Sequence, residues 1–415
     1  MLLYALYVCL ILSLFSILFE DLIKLSKSKA VLFFGTLSWL LVFMNPQRFG
    51  GFDAVKGRFM DDVLDISNLW LFLVSTMTFV AYLNKKGFID SVIHRVLPEA
   101  ISERSLLIVI ALFAFVFSSI ADNVTATLVS LSIVMALRLP ADKLIKFVVV
   151  IVFAVNSGGV AMITGDVTTL MIFLAGKLNV GQLILLSVPA ASGVLILTLL
   201  LSRGLGGQLQ IEVTHRRIDR FDMLIATIFF ATICSVVLGS LYFSIPPMLI
   251  FLFGMSVMFL VSWIGQEHDR AHDILQYIRE IEFETLLFFL GVLLLVGLMK
   301  ELGLLQGISK ITMLMPAMIA NYSIGALSAF IDNVPMTQAM LKAGLNLSVA
   351  NWMGLTYAIG VGGSLLVIGS AAGIVALNRC GPLTFVAYLR YFWAVGIAYS
   401  LGFLMATALG SLVYG

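Results

Sequence analysis

The sequence predicts an all-α polytopic membrane protein whose two halves repeat each other. Hydrophobic residues make up 61% of its 415 residues and charged residues only 12%, about half the charged fraction of a typical soluble domain. Apolar runs long enough to cross roughly 30 Å of hydrocarbon recur from end to end of the chain. No sizeable soluble domain fits between them, and no basic patch suited to nucleic acid is present in the sequence.

Hydrophobic runs and the turn residues between them place the helices in order. We expect continuous helices at 2–19, 30–44, 66–84, 182–201, 222–243, 247–264, 284–300 and 388–412. Interrupted helix pairs are expected at 105–137 and 317–344, and broken helices near 156–166 and at 353–378. Polar loops are expected at 202–221 and 265–283.

Each interrupted pair contains an Asp-Asn dipeptide in apolar surroundings. The two strings are Ser118-Ser-Ile-Ala-Asp122-Asn123-Val and Ser328-Ala-Phe-Ile-Asp332-Asn333-Val, 210 residues apart. A carboxylate at membrane depth costs on the order of 3 kcal/mol even by lenient insertion scales. Two carboxylates at matching places therefore predict a working site on a pseudo-two-fold axis.

Two further landmarks repeat in the same order. Gly87 closes the helix before the first Asp-Asn string, as Gly303 does before the second. Glycine-rich stretches follow the strings, at 158–165 and 362–369. Three shared landmarks in one order indicate an internal repeat.

The distribution of loop charge predicts that the repeats are inverted. If each interrupted pair returns to the side it left, one side carries 18 of the 25 Lys and Arg residues and the other side carries 7. Basic loops stay in the cytoplasm, so the first side is predicted to be cytoplasmic and both termini to lie outside. The first hairpin then opens from the cytoplasm and the second from the exterior.

These landmarks divide the chain into five predicted segments. Residues 1–65 hold N-terminal transmembrane helices of a scaffold, 66–201 the first inverted repeat, 202–221 a cytoplasmic linker, 222–283 peripheral helices with a cytoplasmic loop, and 284–415 the second inverted repeat. The working site is expected on the axis between the two repeats.

The charged residues predicted at membrane depth are all acidic. Of the 23 acidic residues only Asp122, Asp166 and Asp332 are expected deep in apolar segments, and none of the 25 Lys and Arg residues is. A site with three carboxylates and no fixed positive charge repels anions and is neutralised by metal cations or protons. Glu284 and Glu301, at the two ends of one helix, are expected to be solvated.

The two Asp-Asn pairs, Asp122-Asn123 and Asp332-Asn333, are expected at hairpin tips. Pro335 lacks a backbone donor and biases the residue before it away from helix, which frees carbonyl oxygens for a hard cation such as Na⁺. The alternative interpretation is that each pair only caps a helix at a short membrane turn. Capping by itself does not account for matching carboxylates in both halves.

Neutral oxygens complete the predicted cation site around Asp166, which is expected to face Asp122. The candidates are Asn156, Thr168 and Thr169 in the first half, Ser364 and Ser370 in the second, and Ser118 and Ser328, each one turn before a hairpin aspartate. Ser370 stands where the first half has Asp166, so the site is asymmetric in charge. A hydroxyl bonded back to its own helix is the alternative for the last two serines, and close helix packing is the alternative to unwinding for the glycines.

At these motifs the chain resembles the NhaD-type sodium/proton antiporters, in a superfamily that also holds arsenical pumps and divalent-anion/sodium symporters. The resembling strings are Ser-Ser-Ile-Ala-Asp122-Asn123-Val-Thr, Asn156-Ser-Gly-Gly, Ile-Thr-Gly-Asp166-Val-Thr-Thr169, Glu284-Thr-Leu-Leu-Phe-Phe-Leu-Gly, Ser328-Ala-Phe-Ile-Asp332-Asn333-Val-Pro and Gly362-Gly-Ser-Leu-Leu-Val-Ile-Gly-Ser370. The resemblance implies two inverted repeats with re-entrant hairpins, a transport domain that moves against a scaffold, and a homodimer. Anion-carrying relatives have Ser-Asn-Thr at the hairpin tips, so the aspartates found here are a departure that should exclude dianions.

The hypothesis is secondary exchange of Na⁺ or Li⁺ for protons across the cell inner membrane, with no cofactor. A carboxyl group away from water takes up a proton more readily than an exposed one, so protons and metal ions compete for the same aspartates. One alternative is sodium-coupled symport, or export, of a small anion or metalloid. A remote alternative is an intramembrane aspartyl protease, in which two acids share a proton.

Overall fold

The structure, a computed structural model, confirms the all-α polytopic fold class. It describes residues 2–18, 26–88, 100–137, 139–210, 219–243, 245–266, 278–279, 281, 283–304, 307, 310, 314–330 and 332–414. Six helices in these ranges are long and apolar enough to cross a membrane. They are Phe52–Leu83, Glu103–Ile120, Val180–Leu201, Pro247–Ile264, Phe283–Glu301 and Phe392–Tyr414.

The described residues form seventeen α-helices. In chain order they are α1 Leu2–Leu18, α2 Lys27–Met44, α3 Phe52–Lys85, α4 Glu103–Ile120, α5 Asn123–Ala136, α6 Ala141–Gly159, α7 Val167–Leu174, α8 Val180–Leu201, α9 Arg220–Phe243, α10 Pro247–Gln266, α11 Phe283–Glu301, α12 Ala317–Ser328, α13 Asn333–Lys342, α14 Val349–Gly362, α15 Ala371–Arg379, α16 Phe385–Leu389 and α17 Phe392–Tyr414. Both predicted interrupted pairs and both predicted broken helices are among them.

The helices pack as two groups. Helices α1 to α3 and α9 to α11 form the peripheral group, in which α2 packs along α11 and α3 packs along α10. Helices α4 to α8 and α12 to α17 form the core group, in which α4 packs on α6, α12 on α14 and α8 on α17. The two groups meet where α11 contacts α13.

The two halves are built alike and exchange contacts. In the first half the hairpin α4–α5 precedes the broken helix α6–α7, and in the second α12–α13 precedes α14–α15. Helix α5 packs on α15 and α13 packs on α7, so each hairpin contacts the broken helix of the other half. Gly87 and Gly303, which follow α3 and α11, have φ angles of 65° and 72°, the left-handed conformation in which helices commonly end at glycine. This exchange of contacts is what a two-fold relation between the halves produces.

Glycines at equivalent positions let the broken helices approach the hairpins. A Cβ atom on Gly158 of α6 would overlap the backbone oxygen of Phe115 in α4. A Cβ atom on Gly362 of α14 would overlap the backbone oxygen of Gly325 in α12. Close packing and unwinding therefore both occur in these stretches, because α6 and α14 end within one residue of these glycines.

One helix is longer than the sequence predicts. The helix expected at 66–84 begins at Phe52 and has 34 residues. Its first half is rich in charged side chains and lies outside the helices predicted from the sequence. Two of those charges are instead paired inside the fold, Arg58 with Glu301 and Asp62 with Lys342.

The predicted distribution of deep charges is therefore wrong in three respects. The side chain of Glu301 is only 5% exposed and is not solvated. The side chain of Asp62 is 6% exposed, in the middle of a helix, so the deep acids are not limited to three. Lys342, whose side chain is 13% exposed, shows that a basic group is also buried.

A short antiparallel ribbon departs from the all-helical expectation. Ala100–Ser102 pairs with Gln208–Gln210, which ties the start of the first hairpin to the predicted linker. The carboxylate of Glu103 strengthens this contact by accepting the backbone N–H groups of Gly206 and Gly207 at 3.0 and 3.1 Å. The rest of the predicted linker, 211–218, and residues 267–277 of the predicted loop at 265–283 lie outside the described residues.

We expect Gly362→Ala to destabilise the fold. The new methyl group would meet backbone atoms of Gly325 that cannot rotate away, and overpacking of this kind costs about 1–3 kcal/mol. The midpoint of thermal unfolding in detergent should therefore fall by several degrees. The matched control is Gly396→Ala in α17, where a Cβ atom meets nothing within 4 Å. An equal midpoint for the two variants would contradict the packing argument.

Candidate functional site

A cavity of about 530 Å³ brings the predicted aspartates together. Asp122, Asp166 and Asp332 all line it, as do Asn123 and Asn333. Asp166 and Asp332 are each 7% exposed, and Asp122 is half-buried. The three acids therefore share one cavity, as the sequence predicted, although they come from three separate helix interruptions.

In the first half, both interruptions end at an aspartate that caps the next helix. Asp122 accepts two hydrogen bonds from Thr125, one from the backbone N–H at 2.9 Å and one from the side-chain hydroxyl at 2.7 Å. Asp166 accepts the backbone N–H of Thr168 at 3.0 Å. Capping, the alternative raised for the Asp-Asn pairs, is thus part of the structure and places each carboxylate at the start of a half-helix.

The second half has one aspartate and one serine in the same places. Asp332 lies at the N-cap of α13, where the backbone N–H of Val334 is 3.5 Å from its Oδ1. Ser370 caps α15 by accepting the backbone N–H of Gly373 at 3.2 Å. The predicted correspondence between Ser370 and Asp166 is therefore seen directly, since both cap the second part of a broken helix.

Both hairpins reach one oxygen of Asp166. The side-chain amides of Asn123 and Asn333 each donate to its Oδ2 at 3.0 Å. Gly159 makes room for this contact, because a Cβ atom there would lie 2.8 Å from Oδ1 of Asn123 and 2.9 Å from Cβ of Asp166. Amides from equivalent positions of the two halves thus bind the carboxylate of Asp166, which has no counterpart in the second half.

The neutral side chains predicted as ligands in the first half differ in the hydrogen bonds they make. Asn156 donates to the hydroxyls of Ser364 and Ser370 at 2.9 Å each, and this links the two repeats. Thr169 donates to the backbone oxygen of Gly159 at 3.0 Å. The hydroxyl of Thr168 and the Oδ1 atom of Asn156 are buried and have no hydrogen-bond partner within the described part of the chain. These two oxygens can accept a further group without losing an existing bond.

Ser118 and Ser328 form equivalent ties between hairpin and broken helix. The Ser118 hydroxyl donates to the backbone oxygen of Val155 at 2.8 Å, and that of Ser328 donates to the backbone oxygen of Ile359 at 3.0 Å. The same hydroxyl of Ser118 lies 2.8 Å from Oδ1 of Asn123, so its single hydrogen is shared between the two acceptors, and this contact orients the amide towards Asp166. Both serines are fully buried, and their role as cation ligands stays a prediction.

The cavity is lined by acidic residues and reaches the exposed side chain of Glu284 at one end. None of the residues found to line it in the described ranges is Lys or Arg. It extends from the aspartates to Ser26, Glu284 and Asn378. The side chain of Glu284 is 70% exposed, as expected for a helix-end charge, and lies 3.7 Å from Lys29. This end, which we call the cavity mouth, adjoins loops that the charge distribution predicts to be cytoplasmic.

The aspartates share a cavity without forming a compact metal centre. Among the described residues, no three His, Cys, Asp or Glu side chains converge as they would on a resident metal ion. A small ion in this cavity would meet one carboxylate together with amide and hydroxyl oxygens, a donor set that suits hard cations.

Comparison with known proteins places this architecture in a family. Residues 7–362 match the family described as "Citrate transporter" (CitMHS). The Na(+)/H(+) antiporter NhaD of Vibrio cholerae serotype O1 is 29% identical over 406 residues, covering 90% of this chain and 85% of that protein. The Na(+)/H(+) antiporter NhaD of Vibrio parahaemolyticus is 27% identical, with 90% and 98% covered. Sodium/proton antiporter 2 of Arabidopsis thaliana is also 27% identical, with 91% of each chain covered. The family match spans most of the chain, which therefore belongs to the citrate transporter family, CitMHS.

Proposed function

We propose that this protein exchanges Na⁺ or Li⁺ for protons across a membrane. The observation that carries the proposal is the cavity with three aspartates and no basic residue among its described lining. Relatives that are named Na(+)/H(+) antiporters cover about nine-tenths of the chain. The family description names citrate instead, so the charge of the site must decide between a cation and an anion.

The charge balance of the cavity favours a monovalent cation. Four half-helices, α5, α7, α13 and α15, begin at its wall, and each helix N-terminus carries about half a positive charge. Together they supply about two positive charges, whereas Asp122, Asp166 and Asp332 supply three negative ones when ionised. Glu284 is left out of this balance because it is exposed at the mouth and lies 3.7 Å from Lys29. About one negative charge remains, which one Na⁺ ion or one proton neutralises. Citrate would meet like charge with no Lys or Arg to bind it.

Competition for the same carboxylate gives exchange. An ionised Asp166 is held by two amide donors and can take either a metal ion or a proton as the neutralising charge. A carboxyl group away from water takes up a proton readily, and metal binding requires that the proton leave. Occupation by one ion therefore excludes the other, and movement of the loaded site across the membrane couples their fluxes.

The cavity mouth supports access from the cytoplasm in this conformation. Glu284 and Asn378 at the mouth belong to segments next to the predicted cytoplasmic loops. By the same charge argument both termini lie outside. We also propose that the membrane is the plasma membrane. We also propose a homodimer, which the family resemblance implies.

Ion flux in proteoliposomes tests the proposal. External Na⁺ or Li⁺ should raise the lumenal pH, because entry of the cation expels protons, and K⁺ should do so less. Asp166→Asn keeps the size of the side chain and removes its charge, so this response should fall to the level of protein-free vesicles. The matched control is Asn321→Ala, which removes a buried amide that donates to the backbone oxygen of Asn351 in the core group, away from the cavity lining. Uptake of labelled citrate without a response to Na⁺ would replace the proposal with the anion alternative.

The two amides on Asp166 should contribute jointly to exchange. A hydrogen bond to a charged group contributes about 1.5–3 kcal/mol, so Asn123→Ala and Asn333→Ala should each lower the ratio of maximal rate to half-saturating Na⁺ by roughly ten- to a hundredfold. Because both amides donate to the same oxygen, the double variant should lose less than the two single losses combined. Proton flux measured against Na⁺ concentration checks this. If the fold-loss of the double variant equals the product of the two single fold-losses, the two amides act on different steps.

A further inference from the structure

A buried ion pair joins the two helix groups at the far end of α13. Lys342, the last residue of α13, pairs through Nζ with Asp62 of α3 and lies 3.1 Å from Oδ2 of Asp65. The side chains of Lys342 and Asp62 are 13% and 6% exposed. Gly297 of α11 leaves space for the pair, since a Cβ atom there would overlap the Asp62 carboxylate. One lysine of the core group is thus held by two acids of the peripheral group.

The pair lies at the opposite end of α13 from the cavity. Asn333, at the start of this helix, donates to Asp166, and Lys342 follows nine residues later. At 1.5 Å per residue the two positions are about 14 Å apart along the helix axis. At the Asn333 end the cavity separates the core half-helices from Leu73 and Met77 of α3. At the other end the two groups are in contact, and the ion pair crosses that contact.

The first half has no lysine at the equivalent position. The position that matches Lys342 is Ser132 of α5, 210 residues earlier. Its hydroxyl donates to the backbone oxygen of Leu128 in the same helix at 2.8 Å. At this position of the repeat, an ion pair can therefore form in the second half and not in the first.

A second buried ion pair on α3 provides the contrast. Arg58 forms two hydrogen bonds with the carboxylate of Glu301, one of them 2.8 Å long from Nη2, and Nη2 also donates to the backbone oxygen of Phe49. Both partners belong to the peripheral group, on α3 and α11. This pair has no reason to break when the groups move relative to each other. The Lys342 pair must break if α13 moves away from α3.

We propose that Lys342, Asp62 and Asp65 form the gate that closes the transport path at the end opposite the cavity mouth. The gate rests on the proposed exchange function, in which the site faces the two sides of the membrane in turn. While the pair is intact, α13 stays against the peripheral group and the site is reached through the mouth. When the pair opens, α13 moves away from α3 and α11 and the site is reached from the other side. Lys342 is a positioning residue, since it acts on the ion site through α13 and Asn333.

Cross-linking the gate tests whether it must open. Asp62→Cys and Lys342→Cys are introduced after replacement of the natural residues Cys9, Cys234 and Cys380, and are joined by a short, reducible bifunctional thiol reagent. Exchange should fall to the protein-free level on cross-linking and return to its earlier rate on reduction. A cross-linked protein that exchanges at the unlinked rate would overturn the gate. If the protein that keeps Asp62 and Lys342 shows no Na⁺-dependent proton movement, the proposed function fails instead, and the labelling experiment below still tests the gate.

Cysteine labelling through the cavity mouth tests whether the Lys342 ion pair favours the conformation in which the mouth is open. Val375 lines the cavity, so Val375→Cys in the same background reports access by a membrane-impermeant maleimide. Asp62→Asn with Lys342→Gln removes both charges at once and leaves no unpaired ion at these two positions. Its labelling rate should fall at least about threefold, and Lys342→Arg should keep the parental rate. The matched control, Arg58→Gln with Glu301→Gln, should lower thermal stability without changing the labelling rate. Equal labelling of the Asp62/Lys342 variant and its parent would refute the proposal.

Discussion

The hydrogen bonds that two asparagines make to one oxygen of Asp166 are the contact on which the rest of the site depends. A carboxylate removed from water needs donors, and in a membrane these must come from the protein itself. The donors are Asn123 and Asn333, one from each hairpin. To deliver them, both hairpins must turn inside the fold and both helices that pass them must break. Gly159 lies at this junction because any larger residue would separate the amide from the carboxylate.

The sequence was most informative where a feature occurs twice. Asp122 and Asp332 could be placed at helix interruptions because each repeats the other's surroundings, and a charge in an apolar run is too costly to be incidental. The equivalence of Asp166 and Ser370 could be predicted for the same reason, from the glycines that precede both. Ser118 was an open case, because a hydroxyl one turn before an aspartate can line a cavity or bond back to its own helix. The structure shows neither of these arrangements for Ser118 but a bond to the neighbouring helix.

The sequence was least informative where a charge depends on a distant partner. Asp62 and Lys342 are 280 residues apart, and Arg58 and Glu301 are 243 apart. Each taken alone suggests a solvated loop or helix end, since an unpaired charge is not stable in an apolar interior. Only the packed fold shows that the charges compensate one another. The same holds for Asn156, whose two serine partners come from the other repeat and leave no local pattern in the chain.

The unequal lengths of α5 and α13 affect the relative stability of the two conformations of the protein. Helix α5 has 14 residues and α13 has 10, so the matching hairpins differ by about one turn, or roughly 6 Å. Exchanging the roles of the two hairpins therefore does not reproduce the same structure, and the inward and outward arrangements differ in free energy. A difference of about 1.4 kcal/mol already gives a tenfold ratio of populations. A transporter with such unequal halves has a preferred idle state; leaving it slows one half of the cycle, while the free-energy difference itself cancels over a complete cycle.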